Sequence, residues 1–174
     1  MNDGGRVLGR TTMQQTPTAE PLRIRRYEPG DKRAVRRLHD DALNEVGAHL
    51  GRGPWDDDLD EIGDVYLDGG GEFLVGVLNG EIVAMGALMR ISREKAELKR
   101  MRVRPGLQGR GYGQAMLAAL HRRASELGYS KLHLDTTVQQ RAAQRLYLKN
   151  GYCEVGRGVV GPFDCIFYER EIVG

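Results

Sequence analysis

The sequence predicts a mixed α/β fold: a central, mostly antiparallel sheet with one parallel crossover and helices on both faces. Three observations carry that prediction. Phe73–Leu78 and Glu81–Ser92 are apolar, β-forming runs joined by Asn79-Gly80, and Glu97–Val103 follows a short charged turn, so the three form an antiparallel meander. Val103 to Asp135 reads strand, helix, strand, a crossover that returns parallel and right-handed. Apolar residues at helical spacing occur both before and after the meander, which gives each sheet face a cover.

Taken in order, Leu22–Tyr27 alternates as a half-buried strand does. Pro29-Gly30 turns the chain and Asp31 is suited to cap a helix. Val35, Leu38, Ala42 and Val46 then place that helix over Lys32–Val46. Pro54 and several glycines interrupt the stretch from Ala48 to Asp68, where a short helix is expected over Leu59–Leu67. After the meander, Pro105-Gly106 ends the third strand. The glycine-rich turn Gln108–Gly113 opens a helix whose stripe is Met116, Leu117, Leu120, Ala124 and Leu127, with Gly128 past its end. Lys131–Asp135 is a strand. Gln140–Asn150 is a helix with Ala143, Leu146 and Tyr147 on one face. Tyr152–Val159 and Phe163–Glu169 are the last strands.

The 174 residues suffice for one domain, expected over residues 21–174 after a loose, aperiodic tail at Met1–Glu20. Twenty-six basic and 24 acidic residues leave a net charge of +2, which argues against a nucleic-acid partner for the chain as a whole. No apolar run is long enough to cross a membrane, and the N-terminus lacks a signal-peptide core, so a cytoplasmic protein without a membrane partner is expected. Cys153 and Cys165 have no zinc-ligand spacing and are expected as reduced thiols. His39, His49, His121 and His133 show no metal spacing, so no metal is expected. His121 reads as part of a solvated helix face and His133 as structural.

The strongest chemical signal joins the third meander strand to the next helix. Glycines at 109, 111 and 113 leave backbone N–H groups unshielded, and a helix start adds orphan donors and a positive dipole end. That combination suits a phosphate or diphosphate. Arg104 and Arg110 can add charge at its rim, within a local basic run that also holds Lys99, Arg100 and Arg102. No Gly-Lys-Ser/Thr is present, which excludes a P-loop. Gln114 stands where a Rossmann turn needs its third glycine, and such a turn opens a domain instead of following a meander.

Gln108-Gly-Arg-Gly-Tyr-Gly113, the preceding strand ELKRMRV, and the later stretch from Leu134 through Leu146-Tyr147 to Gly151-Tyr152 resemble the GCN5-related N-acetyltransferase (GNAT) family. The resemblance covers most of Leu22–Glu169 in element order and is specific at residue level over Glu97–Tyr152. It implies acetyl-CoA as co-substrate and an acyltransferase acting on an amine. Met101, Arg102 and Val103 then present strand backbone to the acetyl carbonyl and pantetheine arm. After Gln108, the backbone N–H groups of Gly109, Arg110, Gly111, Tyr112, Gly113 and Gln114 hold the pyrophosphate. Gln140 stands where many members have Asn and can make a similar amide contact to the arm. Tyr152 replaces the usual Phe.

The implied chemistry needs a base for the amine and an acid for the leaving thiolate, because an alkyl amine near pKa ~10 is mostly protonated at neutral pH. By its match to the family's Leu-Tyr position, Tyr147 neighbours the coenzyme sulfur and is the candidate acid. Glu97 and Asp135, at strand ends where the family's sheet splays, are the candidate bases. A carboxylate of the Trp55–Glu61 loop, or water alone, is the remaining choice. The acceptor is a small-molecule or peptide amine, in a cleft shaped by roughly Leu43–Asp68 and Gly156–Asp164. Asp56, Asp57, Asp58, Asp60 and Glu61 suggest attraction of a cationic amine. Similarity to the branch that acetylates amino acids suggests instead an anionic acceptor read by arginines. A non-catalytic acyl-CoA-binding module is the alternative reading, and family resemblance makes a homodimer possible.

Overall fold

Asn79 and Gly80 take φ of 52° and 79°, the double left-handed conformation of a type I′ turn, and so fix the register of the first hairpin. The computed structural model describes residues 21–45, 47 and 53–172. Seven strands lie in one sheet: β1 (Arg23–Arg26), β2 (Glu72–Leu78), β3 (Glu81–Arg90), β4 (Lys95–Val103), β5 (Lys131–Thr137), β6 (Cys153–Val160) and β7 (Phe163–Glu171). Their order is β1-β2-β3-β4-β5-β7-β6. Every neighbouring pair is antiparallel except β4 with β5, the expected crossover.

Two apolar clusters sandwich the sheet. On one side α2 (Tyr112–Glu126) and α3 (Arg141–Lys149) bury Met116, Leu117, Leu120 and Tyr147 with Leu88, Leu98, Leu132 and Leu134. On the other, α1 (Lys32–Glu45) and the turns before β2 bury Val35, Leu38, Leu59 and Tyr66 with Phe73, Val75 and Met85. Each fully buried side chain of this size contributes roughly 1.5–3 kcal/mol. Among the described residues the second cluster reaches only to β3 and does not extend over the β5–β7–β6 half of the sheet.

The structure corrects three local expectations. In place of one helix over Leu59–Leu67 there are a 3-10 turn at Pro54–Leu59 and a wide π turn at Gly63–Leu67, which together seat Ile62 and Tyr66 in the core, Tyr66 edge-on to Phe73 at 5.4 Å. His121 is not solvated: its ring lies 3.0 Å from the Tyr152 hydroxyl and takes a contact of 2.7 Å from Arg170, and burial with that guanidinium pushes it down to about 4. Strand and helix ends move by one or two residues. Both cysteines are free, Cys153 exposed and Cys165 buried. The tail, Val46 and His49 lie outside the described residues.

His39 on α1 is fully buried, and its Nε2 lies 3.1 Å from Asp56. Its Nδ1 has no partner among the described residues, so a second ring proton would be stranded. Burial, Arg102 and Arg100 push its pKa down to about 4. An unfolded histidine takes its proton near 6.5, so between those values only the unfolded chain is charged. The stability His39 contributes is complete above pH 6.5 and is lost as pH falls toward 4, by about 3 kcal/mol. Urea titrations at pH 7 and pH 4.5 are expected to show the loss, with a smaller increment for His39→Asn.

Candidate active site

The site begins with a break in the sheet. β4 and β5 pair only at Lys95↔Lys131, Ala96↔Leu132 and Glu97↔His133. From Leu98 to Val103, and from Leu134 to Thr137, the facing edges have no strand partner and a slot opens between them. On its other edge β4 slips register against β3 between Met85 and Ala87. Arg100 occupies that irregularity with φ 56°, a conformation unfavourable for a side chain with a Cβ.

Contacts across the fold hold the kink. Arg100 donates through Nε to Asp58 at 2.9 Å, through Nη1 to Asp56 at 3.0 Å and through Nη2 to the Trp55 carbonyl at 2.6 Å, with a further contact from Nη2 to Asp58. Tyr66 adds its hydroxyl to Asp58. Burial opposes the Arg100 charge, but the Asp58 bonds outweigh it and hold the guanidinium above its ordinary value. The acidic cluster is therefore largely spent. Asp60 in turn pairs with Arg36 at 2.7 Å. Only Asp57 and Glu61 of the five acids remain outside these pairs, so most of the loop's charge is already engaged within the protein.

At the mouth of the slot, Gly109 and Gly111 have φ of 74° and 87°, and a Cβ at either would meet nothing within 4 Å. Backbone conformation demands glycine there, and open space lies beside it. Gly111 is the N-cap of α2 and brings no side-chain cap. Among the described residues nothing accepts from the N–H groups of Gly109 through Gln114, so the helix start is electrostatically unsatisfied. Gln108 instead bonds Glu45 at 2.6 Å. Arg104 turns away to Glu81 at 2.8 Å, so of the two expected rim arginines only Arg110 stays with the loop.

Side chains at the open slot come from three elements. Met101 and Val103 pack into the α2–α3 core, which leaves Arg102 on the opposite face. Tyr147 is buried at the base of α3, edge-on to Tyr152 at 5.5 Å. Its pKa is pushed up to about 12 by burial, against Arg102 and with Asp135. Asp135 sits two residues beyond the last β4–β5 pair, near the Cys165 thiol, whose pKa burial and that carboxylate push up. Glu97 sits at the last pair itself, 3.4 Å from Lys99. Tyr147, Asp135 and Arg102 thus share one electrostatic neighbourhood, and Glu97 marks its vertex. Gln140 caps α3, its Oε1 taken by Thr136 at 2.7 Å. Gln114 and Asn150 exchange two amide bonds of 2.7 and 2.9 Å across α2 and α3, so only the Gln114 backbone faces the loop's open side. The Arg100 clasp and the half-buried Arg102 side chain are the features that sequence reasoning missed; as side chains both had registered only as members of a basic run.

Comparison with known proteins agrees with this geometry. The family model described as the acetyltransferase (GNAT) family matches residues 33–152. An uncharacterized N-acetyltransferase of Escherichia coli, YjgM, is 27% identical over 149 residues, 82% of this chain and 89% of that protein. A GNAT-family acetyltransferase of Staphylococcus aureus superposes with a TM-score of 0.81 at 24% identity, over 88% of this chain and all of that one. An acetyltransferase of Salmonella typhimurium, solved with its cofactor acetyl-CoA, gives 0.75 at 21% identity, over 89% of this chain and 96% of that one. With a splayed parallel pair and an uncapped glycine turn beneath that family match, the chain belongs to the GNAT family of acetyltransferases.

Proposed function

We infer that the chain moves an acetyl group from acetyl-CoA to a primary amine by direct attack, with both substrates bound at once. The observation that carries this reading is the slot between β4 and β5, ending in the bare amides of Gly109–Gln114. Those amides fit a diphosphate and the unpaired strand edge fits an amide-bearing arm. The Salmonella fold neighbour, solved with acetyl-CoA, supports the same occupant here. When bound, acetyl-CoA supplies the activated acetyl group.

The chain's own residues supply the rest. Met101, Arg102 and Val103 offer backbone along the open edge, and Gln140 keeps its Nε2 for the arm. Asp135 takes a proton from the incoming ammonium, directly or through one water. The amine nitrogen then bonds to the acetyl carbon as the carbon–sulfur bond breaks. Tyr147, held protonated across the physiological range, donates to the departing thiolate, and the proton that the nitrogen sheds on becoming an amide restores the phenol through solvent. Glu97, engaged with Lys99, is the second candidate base.

Tyr147→Phe is expected to lower kcat about 100-fold and leave coenzyme A affinity by calorimetry intact. Free-thiol release from acetyl-CoA across a panel of amines tests the whole reading. Coenzyme A binding without turnover would reduce the chain to a passive module, and ATP binding without coenzyme A binding would overturn it.

A further inference from the structure

Arg102 lacks the partner that its setting demands. Its Nη1 donates to the Met101 carbonyl at 2.8 Å, yet its Nε is shut from solvent with no acceptor among the described residues. Among the described residues no carboxylate comes within ion-pair distance of it, whereas Arg100, two residues earlier, takes both Asp56 and Asp58. Burial and Arg100 both work against its charge, pushing its pKa below the ordinary arginine value. A half-buried guanidinium whose Nε is shut from water and which is held by one carbonyl is an unfinished ion pair.

Its position says what completes the pair. Arg102 lies opposite Met85, in the part of β4 beyond the last pair with β5, on the sheet face opposite Met101 and Val103. Tyr147, Asp56 and Asp135 lie within its electrostatic reach, and Asp56 is already bound by Arg100. The coenzyme cannot neutralise it, because its charges are phosphates and those belong at the Gly109–Gln114 loop. A polyamine cannot either, since it would add cations beside Arg100 and Arg102 after the loop acids are already paired.

We propose that Arg102 is the acceptor-reading residue of this site and that the acceptor is a small amine carrying an oxyanion, a carboxylate or phosphonate, which the guanidinium fork binds while Asp135 faces the amine. This rests on the acetyl-transfer reading for the chemistry but not for the binding. It also decides between the two acceptor classes that the sequence left open. A guanidinium matches a planar or tetrahedral oxyanion with two parallel N–H bonds, whereas an uncharged acceptor leaves it unpaired.

The test uses the full chain and matched amines: β-alanine, 2-aminoethylphosphonate, n-propylamine, β-alanine amide and spermidine. Wild type is expected to use at least one of the two anionic amines about 100-fold better, by kcat/KM, than n-propylamine or the amide. Carboxylate against phosphonate separates the two oxyanion sources. Arg102→Gln is expected to abolish that preference while coenzyme A, which meets only backbone at this residue, still binds by calorimetry. Should R102Q not fold, R102K, which keeps the charge and loses the fork, is expected to shrink the preference. Equal or better use of uncharged amines or spermidine by wild type, or a preference unchanged in both variants, overturns the proposal. Calorimetry of β-alanine and 2-aminoethylphosphonate on coenzyme A-loaded protein separates the two readings. Binding that depends on Arg102 without any turnover keeps the oxyanion site and removes acetyl transfer. Turnover without a charge preference does the reverse.

Discussion

Arg100→Met is expected to destabilise the protein by about 3–5 kcal/mol, because removing one partner from a buried ion cluster leaves the others uncompensated. The side chains concerned are mostly covered: Arg100 is 11% exposed, Asp56 7% and Asp58 16%. Methionine keeps the length and the left-handed backbone but gives Asp56 and Asp58 no cation and the Trp55 carbonyl no donor. Chemical denaturation at pH 7 measures the loss, and for a chain of this size it corresponds to a fall in melting temperature of roughly 10 °C. The triple variant R100M/D56N/D58N is expected to recover part of it, since the stranded carboxylates are gone. A loss under about 1 kcal/mol would mean that the clasp behaves as a surface pair.

Asp135→Asn is expected to lower kcat/KM for the amine by about 1000-fold, within the usual range for loss of a positioned general base. Asparagine fills the same space, so fold and coenzyme affinity are expected to persist. Glu97→Gln is expected to lose less than about tenfold, because Glu97 stands at the closed vertex of the slot and is engaged with Lys99. A larger loss in E97Q than in D135N would exchange the two roles.

Much of this was legible in the linear chain, for local reasons. Asn79-Gly80 writes its turn into two residues, and the run from Gln108 to Gln114 announces an uncapped helix start through its glycines. The crossover follows from element order alone. What the sequence conceals depends on pairs far apart. Arg100 and Asp58 are 42 residues apart, and composition shows one as part of a basic run and the other as part of an acidic loop. Read separately, they suggest a phosphate rim and a cation trap; joined, they are a clasp. Nor does any local signal place a left-handed residue at an arginine, since that conformation is held from outside by the loop it grips. The orphaned state of Arg102 is visible only once its neighbour is seen to have taken the available acids.

The amide exchange between Gln114 and Asn150 has a consequence of its own. It carries no net charge, so neither ionic strength nor acid alters it across the range where proteins work. The opposite wall relies on charge, through the ionised Arg100–Asp56 pair and a His39 that must stay neutral beside it. Mild acidification should therefore loosen the two flanks of the cleft unequally. Affinity for the acceptor should erode first, while the lodging of the larger cofactor stays firm.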